Sequence, residues 1–345
     1  MSHHITVEPS KRQFEAQADE TLLLAAIRQG IGLPYGCKDG ACGSCKCKKL
    51  SGEVSLDAYQ AKALTEDELA QGYILTCRAH AHSDVVLESR QVTEEGAFPI
   101  RKMPARVSSL ERLAPDVVRL RLQLPATEAV QYRAGQYMDV LLRSGDRRSY
   151  SMANAPHTVT GDTKLIELHI RHMHGGQFTD HVFGAMKEKD ILRVEGPFGS
   201  FALREASSLP MILLASGTGF APIKAMLEHM DHQGITRTAH LYWGGRRPQD
   251  VYLNEWIEAF AQSHPWLTYI PVVSDATAQD HWTGRTGFVH RAVLQDHPDL
   301  SGHEVYACGA PIVIDSAKKD FVALAGLDPD LFFADAFTSA ADAAT

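Results

Sequence analysis

Apolar and polar positions follow three different rhythms along the chain. Ile5-Thr6-Val7 alternates as a strand does, and the stretch from Thr21 to Gln29, stopped by Gly30, has helical spacing. Thr65 ahead of Glu66, Asp67 and Glu68 predicts an N-cap with an acidic first turn, where negative charge meets the positive end of the helix dipole. Thr93-Glu94-Glu95-Gly96-Ala97-Phe98-Pro99 is polar and broken by Gly and Pro, which predicts a linker. Beyond it come short β-type runs at Ala105 to Ser108, Val117 to Gln123, Tyr137 to Leu142, Leu165 to Arg171 and Ile191 to Glu195, separated by turn residues as in an antiparallel barrel. The third rhythm is a buried-strand run, Met211 to Ala215, then a glycine turn and helical spacing from Ile223 to Met230. Further strands are expected at Ala239 to Trp243, Thr268 to Val273 and Val305 to Ala307. Strand, glycine turn, helix, strand predicts a parallel sheet with a ligand at its strand ends. The expected division is 1–93, a linker at 94–102, a barrel at 103–204, an α/β domain at 205–338 and a disordered tail at 339–345.

At 345 residues the chain is long for one core, and its 44% hydrophobic and 22% charged content is that of an ordinary globular protein. A net charge of -8 gives no reason to expect nucleic acid as a partner. No run approaches the roughly 20 apolar residues of a membrane span, and no secretory signal is read, so the expected location is cytoplasmic. His169, His172 and His174 alternate through a strand and its exit and are expected to be solvent-facing or hydrogen-bonded rather than metal ligands.

The chemistry begins with Cys37, Cys42, Cys45 and Cys77, spaced Cys-x4-Cys-x2-Cys with a distant fourth cysteine. That spacing suits a 2Fe-2S cluster. Structural zinc usually takes two short knuckles, and the second is missing. Small residues in Gly36-Cys37-Lys38-Asp39-Gly40-Ala41-Cys42-Gly43-Ser44-Cys45 let the backbone bend closely and aim N–H groups at sulfur. Cys47 is read as a non-ligand. With Leu75-Thr76 before Cys77, the segment resembles the plant-type ferredoxins, which implies a β-grasp domain.

Arg148-Ser149-Tyr150-Ser151, followed about 24 residues later by Gly175-Gly176-Gln177-Phe178-Thr179, resembles the ferredoxin–NADP reductase superfamily. The resemblance implies FAD, with Arg148 on its pyrophosphate, Tyr150 packed on the flavin, Ser151 near flavin N5, and Gly175, Gly176 and Thr179 completing the phosphate cradle. Ser216-Gly217-Thr218-Gly219-Phe220-Ala221-Pro222 is similar to that family's pyridine-nucleotide turn, with Ser216 replacing a glycine. Gly217, Thr218, Gly219 and Pro222 are thus the expected nucleotide residues, joined by Cys308 and Gly309 of Cys308-Gly309-Ala310-Pro311. Asp275, where phosphate-selective members carry Arg, repels a 2'-phosphate and favours NADH over NADPH, against the basic pair Arg246 and Arg247. The expected groups around the reacting atoms are Ser151, Cys308, Asp335 and Phe337; Asp335-Ala336-Phe337 matches the family's acidic-x-aromatic ending, with Phe337 a candidate flavin cover or a core aromatic.

The fold class expected is therefore multidomain: a β-grasp ferredoxin domain, an antiparallel β-barrel for FAD and a parallel-sheet α/β domain for NAD. The implied function is a reductase that takes hydride from NADH onto FAD and passes single electrons through a 2Fe-2S cluster to a one-electron-accepting protein. By overall look the chain resembles the CDP-6-deoxy-glucoseen reductases, which feed a sugar dehydrase; the alternative is the reductase component of an aromatic-compound oxygenase. A redox sensor would need a binding extension, and a hydroxylase an oxygen-activating iron site; neither motif is found. Residues 1–93 carry ten Lys and Arg against twelve Asp and Glu. Lys46, Lys48 and Lys49 beyond the cluster loop are read as a solvated strand, with acceptor docking as the alternative.

Overall fold

The computed structural model describes residues 2–92, 98–128, 130–160 and 164–338. These divide into two compact units, one drawn from Met1–Phe98, Gly199–Phe201 and Ala334–Thr345, the other from Pro99–Phe198 and Ala202–Phe333.

Unit 1 is built on β1 (Ser2–Glu8), β2 (Arg12–Gln17), α1 (Leu22–Arg28), β3 (Lys46–Ser51), β4 (Val54–Leu56), α2 (Glu66–Ala70), β5 (Tyr73–Leu75), β6 (Ala79–Ala81) and β7 (Val85–Glu88). Its main sheet runs β2-β1-β7-β3-β5, with β1 and β7 parallel. The predicted cap is present, Thr65 forming a capping box with Glu68, and Thr21 Oγ1 caps α1 by accepting from Leu24 N. Gly30 takes the left-handed φ of +73° just past α1. Ile5, Val7, Leu22, Ala25, Leu75 and Leu87 are completely buried, so α1 packs on the face that alternation selects.

Unit 2 opens with β8 (Arg101–Ala114), β9 (Val117–Gln123), β10 (Tyr137–Leu141), β11 (Arg147–Ser151), β12 (Leu165–Arg171), α3 (Gln177–Gly184) and β13 (Ile191–Phe198), in sheet order β11-β10-β13-β8-β9-β12. An antiparallel bridge between Met152 and Leu168 joins the two ends, closing the barrel. β8 is longer than its apolar run predicts and begins inside the expected linker. Register shifts at Val107/Ser109 and Arg112/Ala114 break its alternation, which hides the strand's length from a period-two reading. Of the expected linker 94–102, residues 94–97 lie outside the described residues, as does the expected tail.

The rest of unit 2 holds β14 (Met211–Ser216), α4 (Phe220–Gln233), β15 (Ala239–Gly245), α5 (Asn254–Ser263), β16 (Leu267–Val273), β17 (Arg285–Thr286), α6 (Val289–Asp296), β18 (Glu304–Gly309), α7 (Pro311–Ala325) and the first two residues of β19 (Phe332–Ala336), in sheet order β17-β16-β15-β14-β18-β19. β14 pairs in parallel with β15 and β18. Met211 through Ala215 are fully buried, as a central strand covered on both faces requires. Among the described residues no helix is long and apolar enough to cross a membrane.

Candidate functional site

The cysteine loop of unit 1 is folded around its sulfurs. Gly40 and Gly43 take left-handed φ of +81° and +74°, and a side chain on Gly43 would press on Ala63 O at 3.0 Å. The bends turn backbone donors inward: Cys37 N donates to Cys42 Sγ at 3.3 Å, Cys42 N to Cys37 Sγ at 3.4 Å and Ser44 N to Cys42 Sγ at 3.4 Å. Cys77, brought in after β5, lies with its Sγ 3.2 Å from Cys45 Sγ. No three His, Cys, Asp or Glu side chains among the described residues are arranged around a single ion. Thiols gathered in pairs, with amides aimed at sulfur, fit a two-iron core held by four cysteines. None of the six cysteines is in a disulfide. Cys47 stays apart on β3: burial, and then the neighbouring Cys45, push its thiol up to about 12.

One face of this loop receives groups distant in sequence. A methyl group on Gly36 would lie 3.3 Å from Ser44 Oγ, 3.5 Å from Asp335 Oδ1 and 3.5 Å from Cys42 Sγ, so the buried Asp335 carboxylate borders the cysteines. Tyr35 N donates to Ser200 Oγ at 2.8 Å, while Ser200 N donates to Tyr35 O at 3.1 Å. Phe337 is half-buried just past β19. The three lysines beyond the loop are engaged within the unit: Lys46 Nζ pairs with Glu68 at 2.6 Å, Lys49 Nζ donates to Gly52 O at 2.8 Å, and Lys48 Nζ sits 6.0 Å over the Tyr73 ring.

In the barrel, β11 carries Arg148, Tyr150 and Ser151, and α3 begins at the glycine turn. Tyr150 and Phe178 rings meet at 5.5 Å, which brings the two motifs together. Burial raises the Tyr150 phenol, keeping it neutral. Gly175 has φ of +81° and open space where a side chain would stand. At Gly176 a side chain would strike Thr179 Oγ1 at 2.6 Å and Met173 O at 2.8 Å. Gly176 caps α3 without a side-chain acceptor, so the first amides of the helix remain for an anion. Arg148 is half-buried with Asp146 Oδ2 4.0 Å away, and Ser151 is buried. These residues fit a flavin dinucleotide's phosphates.

The nucleotide turn follows β14. Gly217 has φ of +53°, and Trp243 Nε1 donates to its carbonyl at 2.9 Å while stacking on Phe220 at 3.9 Å. A side chain on Gly219 would fall 2.0 Å from Cys308 O, and one on Gly309, at φ +129°, 2.4 Å from Ser216 O. The turn and the end of β18 therefore interlock through backbone, which brings Gly217, Thr218 and Gly219 beside the buried Cys308. Pro222 lies in the first turn of α4. After β16, Asp275 N donates to Arg246 O at 2.9 Å, and the Asp275 carboxylate pairs with Arg247 at 3.5 Å. Arg247 also bonds Asp280 at 3.2 Å. The acid and one of the bases set against each other in the sequence are thus ion-paired.

Sequence reasoning missed a buried polar seam in unit 2. Glu167 on β12 bonds His169 Nε2 at 3.0 Å and Arg121 Nε at 3.1 Å, and lies 3.4 Å from Lys224 Nζ. Lys224 on α4 also bonds Glu228 at 2.6 Å and Ala153 O at 3.0 Å. Burial pushes the Glu167 carboxyl up, but His169 and Lys224 outweigh it and hold it down at about 2. The available signal was a charged residue inside an apolar run, Glu167 in Leu165-Ile166-Glu167-Leu168 and Lys224 in Pro222-Ile223-Lys224-Ala225-Met226. His169 is hydrogen-bonded, as expected of it, and His172 bonds Asp180 at 2.9 Å.

A thiol loop, a flavin-type barrel and a nucleotide turn on a parallel sheet define an iron–sulfur flavoprotein oxidoreductase. Family models agree segment by segment: a 2Fe-2S iron-sulfur cluster binding domain over residues 5–82, an oxidoreductase FAD-binding domain over 104–203 and an oxidoreductase NAD-binding domain over 213–319. The chain belongs to the family of 2Fe-2S flavoprotein reductases that joins these three. It is 43% identical to the CDP-6-deoxy-L-threo-D-glycero-4-hexulose-3-dehydrase reductase of Yersinia pestis, over 98% of this chain and 99% of that one. It is 34% identical to the phenol hydroxylase P5 protein of Acinetobacter pittii, over 100% and 97%. Among solved structures, the Amycolatopsis cytochrome P450 reductase GcoB matches with a TM-score of 0.78 at 31% identity, over 98% and 99%. The protein is an electron-transfer reductase with 2Fe-2S, FAD and NAD(H) as its cofactors, and reductases of this kind serve an electron-accepting partner.

Proposed function

We propose that this reductase supplies electrons to a dehydrase acting on a CDP-linked 6-deoxy-hexulose. The observation that carries the reading is the 43% identity to such a reductase across nearly both whole chains. The second reading, an oxygenase reductase component, rests on the 34% identity to a phenol hydroxylase protein over a similar span. When bound, the flavin accepts a hydride from NADH and the cluster releases the electrons singly, matching a two-electron donor to a one-electron acceptor.

The chain's residues have the following roles in this reading. Cys37, Cys42, Cys45 and Cys77 hold the cluster, supported by the inward amides of the loop. Arg148, the glycine turn at Gly175 and Gly176 and the Thr179 hydroxyl form the cradle of the flavin pyrophosphate, Tyr150 packs on the ring and Ser151 stands at its reacting edge. Gly217, Thr218, Gly219 and Pro222 receive the nucleotide pyrophosphate at the start of α4, and Cys308 and Gly309 wall the nicotinamide side. Asp275, held by Arg247, disfavours a 2'-phosphate and so NADPH. Asp335 stands beside the cluster loop at Gly36. The three domains span 1–93, 103–204 and 205–338.

The test is reconstitution. Purified protein should show flavin and cluster absorption, both bleached by NADH without oxygen, and should support NADH-dependent deoxygenation by a CDP-hexulose dehydrase. Support of phenol hydroxylation with no dehydrase turnover would replace the first reading by the second.

A further inference from the structure

The seam around Lys224 joins two segments that the proposed function gives to different cofactors. Ser151 ends β11, and the chain leaves through Met152, Ala153, Asn154 and Ala155. Ala153 N donates to Glu167 O at 2.8 Å, Glu167 N to Asn154 Oδ1 at 2.8 Å, and Ala155 N to Glu228 Oε2 at 3.0 Å. Lys224 Nζ closes the set on Ala153 O at 3.0 Å. Glu228 and Lys224 are both on α4, which starts directly after the Gly217-Thr218-Gly219 turn. The flavin strand's exit is thus bonded to β12 on one side and to the nucleotide helix on the other.

A second line of bonds reaches the turn itself. His169 has no exposed side-chain surface, and burial disfavours its charged form. A neutral imidazole beside the Glu167 carboxylate donates from Nε2, so Nδ1, 2.9 Å from Tyr252 Oη, accepts the phenol's hydrogen. Bond directions then run one way, from Tyr252 to His169 to Glu167, where Lys224 converges. The Tyr252 ring meets Trp243 edge-on at 5.1 Å, and Trp243 Nε1 donates to Gly217 O. Lys224 itself lies 5.1 Å over the Trp256 ring, which contacts Phe220 edge-on at 6.1 Å. A buried cation with this many fixed partners has one geometry, and it transmits that geometry to both segments.

We propose that Lys224 is a positioning residue for the hydride step, fixing the strand exit beyond Ser151 and the Gly217 turn as one body through Ala153 O, Glu228 and the Glu167–His169–Tyr252 chain. Its effect is on alignment, to which hydride transfer is sensitive at the scale of about 1 Å.

The inference rests on the FAD and NADH reading and is tested on the holoenzyme with Lys224→Met, Lys224→Arg and Tyr252→Phe. Oxygen-free stopped flow follows flavin bleaching against NADH concentration, with ordinary NADH and with NADH deuterated at nicotinamide C4. Visible circular dichroism of the oxidised flavin and the melting temperature are read beside it. In Lys224→Met the limiting rate should fall tenfold or more while half-saturation by NADH moves less than threefold. The isotope effect should grow and the flavin dichroism change, and Lys224→Arg should recover most of the rate. Wild-type rate and dichroism in Lys224→Met at full flavin occupancy would overturn the proposal. So would a rate that falls only as melting temperature and flavin content fall, with Lys224→Arg equally impaired. If Lys224→Met does not fold, Tyr252→Phe decides: a loss of threefold or more at unchanged melting supports the proposal, and an unchanged rate overturns it. Absence of flavin bleaching in the wild type would instead defeat the functional reading and is separately visible.

Discussion

Unit 1 gathers its reactive groups from a short stretch of chain, whereas unit 2 assembles its own from far apart. Three of the four candidate iron ligands fall between Cys37 and Cys45, and local glycine bends suffice to turn amides onto sulfur. In unit 2, Glu167 and Lys224 come from a barrel strand and from the first helix of the parallel sheet, and their alignment exists only once both are folded. A local site fails when a ligand is lost but leaves the rest of the molecule working. A dispersed one should fail by degrees, through geometry and stability.

The largest expected effect breaks unit 1 alone. Cys45→Ser should remove cluster absorption and abolish transfer to a protein acceptor, while NADH still bleaches the flavin within about twofold of the wild-type rate. Loss of flavin bleaching as well would show that the two units do not fail independently. Next is Gly219→Ala, whose new methyl would meet Cys308 O at 2.0 Å. Backbone cannot give way as a side chain end can, so a loss of about 1–3 kcal/mol in unfolding free energy is expected, with weakened NADH binding. Calorimetry and a nucleotide titration measure both.

Acidification sharpens the comparison at a smaller scale. Burial lowers the pKa of His169, and likewise of His240, His297 and His303, below the usual 6.5. His240 Nδ1, His297 Nε2 and His303 Nδ1 are buried without hydrogen-bond partners, and the rings of His240 and His303 lie 4.6 Å and 5.6 Å from that of His297. A histidine whose folded pKa is depressed is fully stabilising above its unfolded value, and that contribution is lost as pH falls from 6.5 toward the folded pKa. Glu167, at about 2 against an ordinary 4.5, adds a second loss lower down, between those two values. The melting temperature of the FAD and NAD unit should therefore drop by several degrees between pH 7 and pH 5.5, before carboxylates titrate. Scanning calorimetry at stepped pH checks this, and a flat profile would count against it. The smallest effect is at the nucleotide's ribose. Asp275→Ala releases Arg247 from one of its two acids, and because the pair is half-exposed the NADPH to NADH preference should rise only about three- to tenfold in kcat/KM.

What could be read beforehand follows the same division. Cysteine spacing, the Arg148 to Ser151 motif and both glycine turns are local chemistry, and a local pattern survives in the sequence. The cap at Thr65 was legible for that reason too. The meeting of Gly219 with Cys308, Asp335 against Gly36 and Lys224 under Ala153 each depends on two segments far apart in the chain. No periodicity encodes such a meeting, though a lone charge in an apolar run marked one side of the last. The acid at 275 and the bases at 246 and 247 were visible as opposing arguments about cofactor choice. Only the fold shows that one base is occupied by the acid.

The bonds between Tyr35 and Ser200, and the Asp335 carboxylate at Gly36, bear on how such reductases exchange parts. The iron–sulfur unit is discontinuous in sequence, so a gene fusion that carried residues 1–92 into a different reductase would leave two of its contacts behind. Ancestral shuffling of this module would then succeed only where the recipient already offered a hydroxyl and a carboxylate at the matching places, or acquired them soon after.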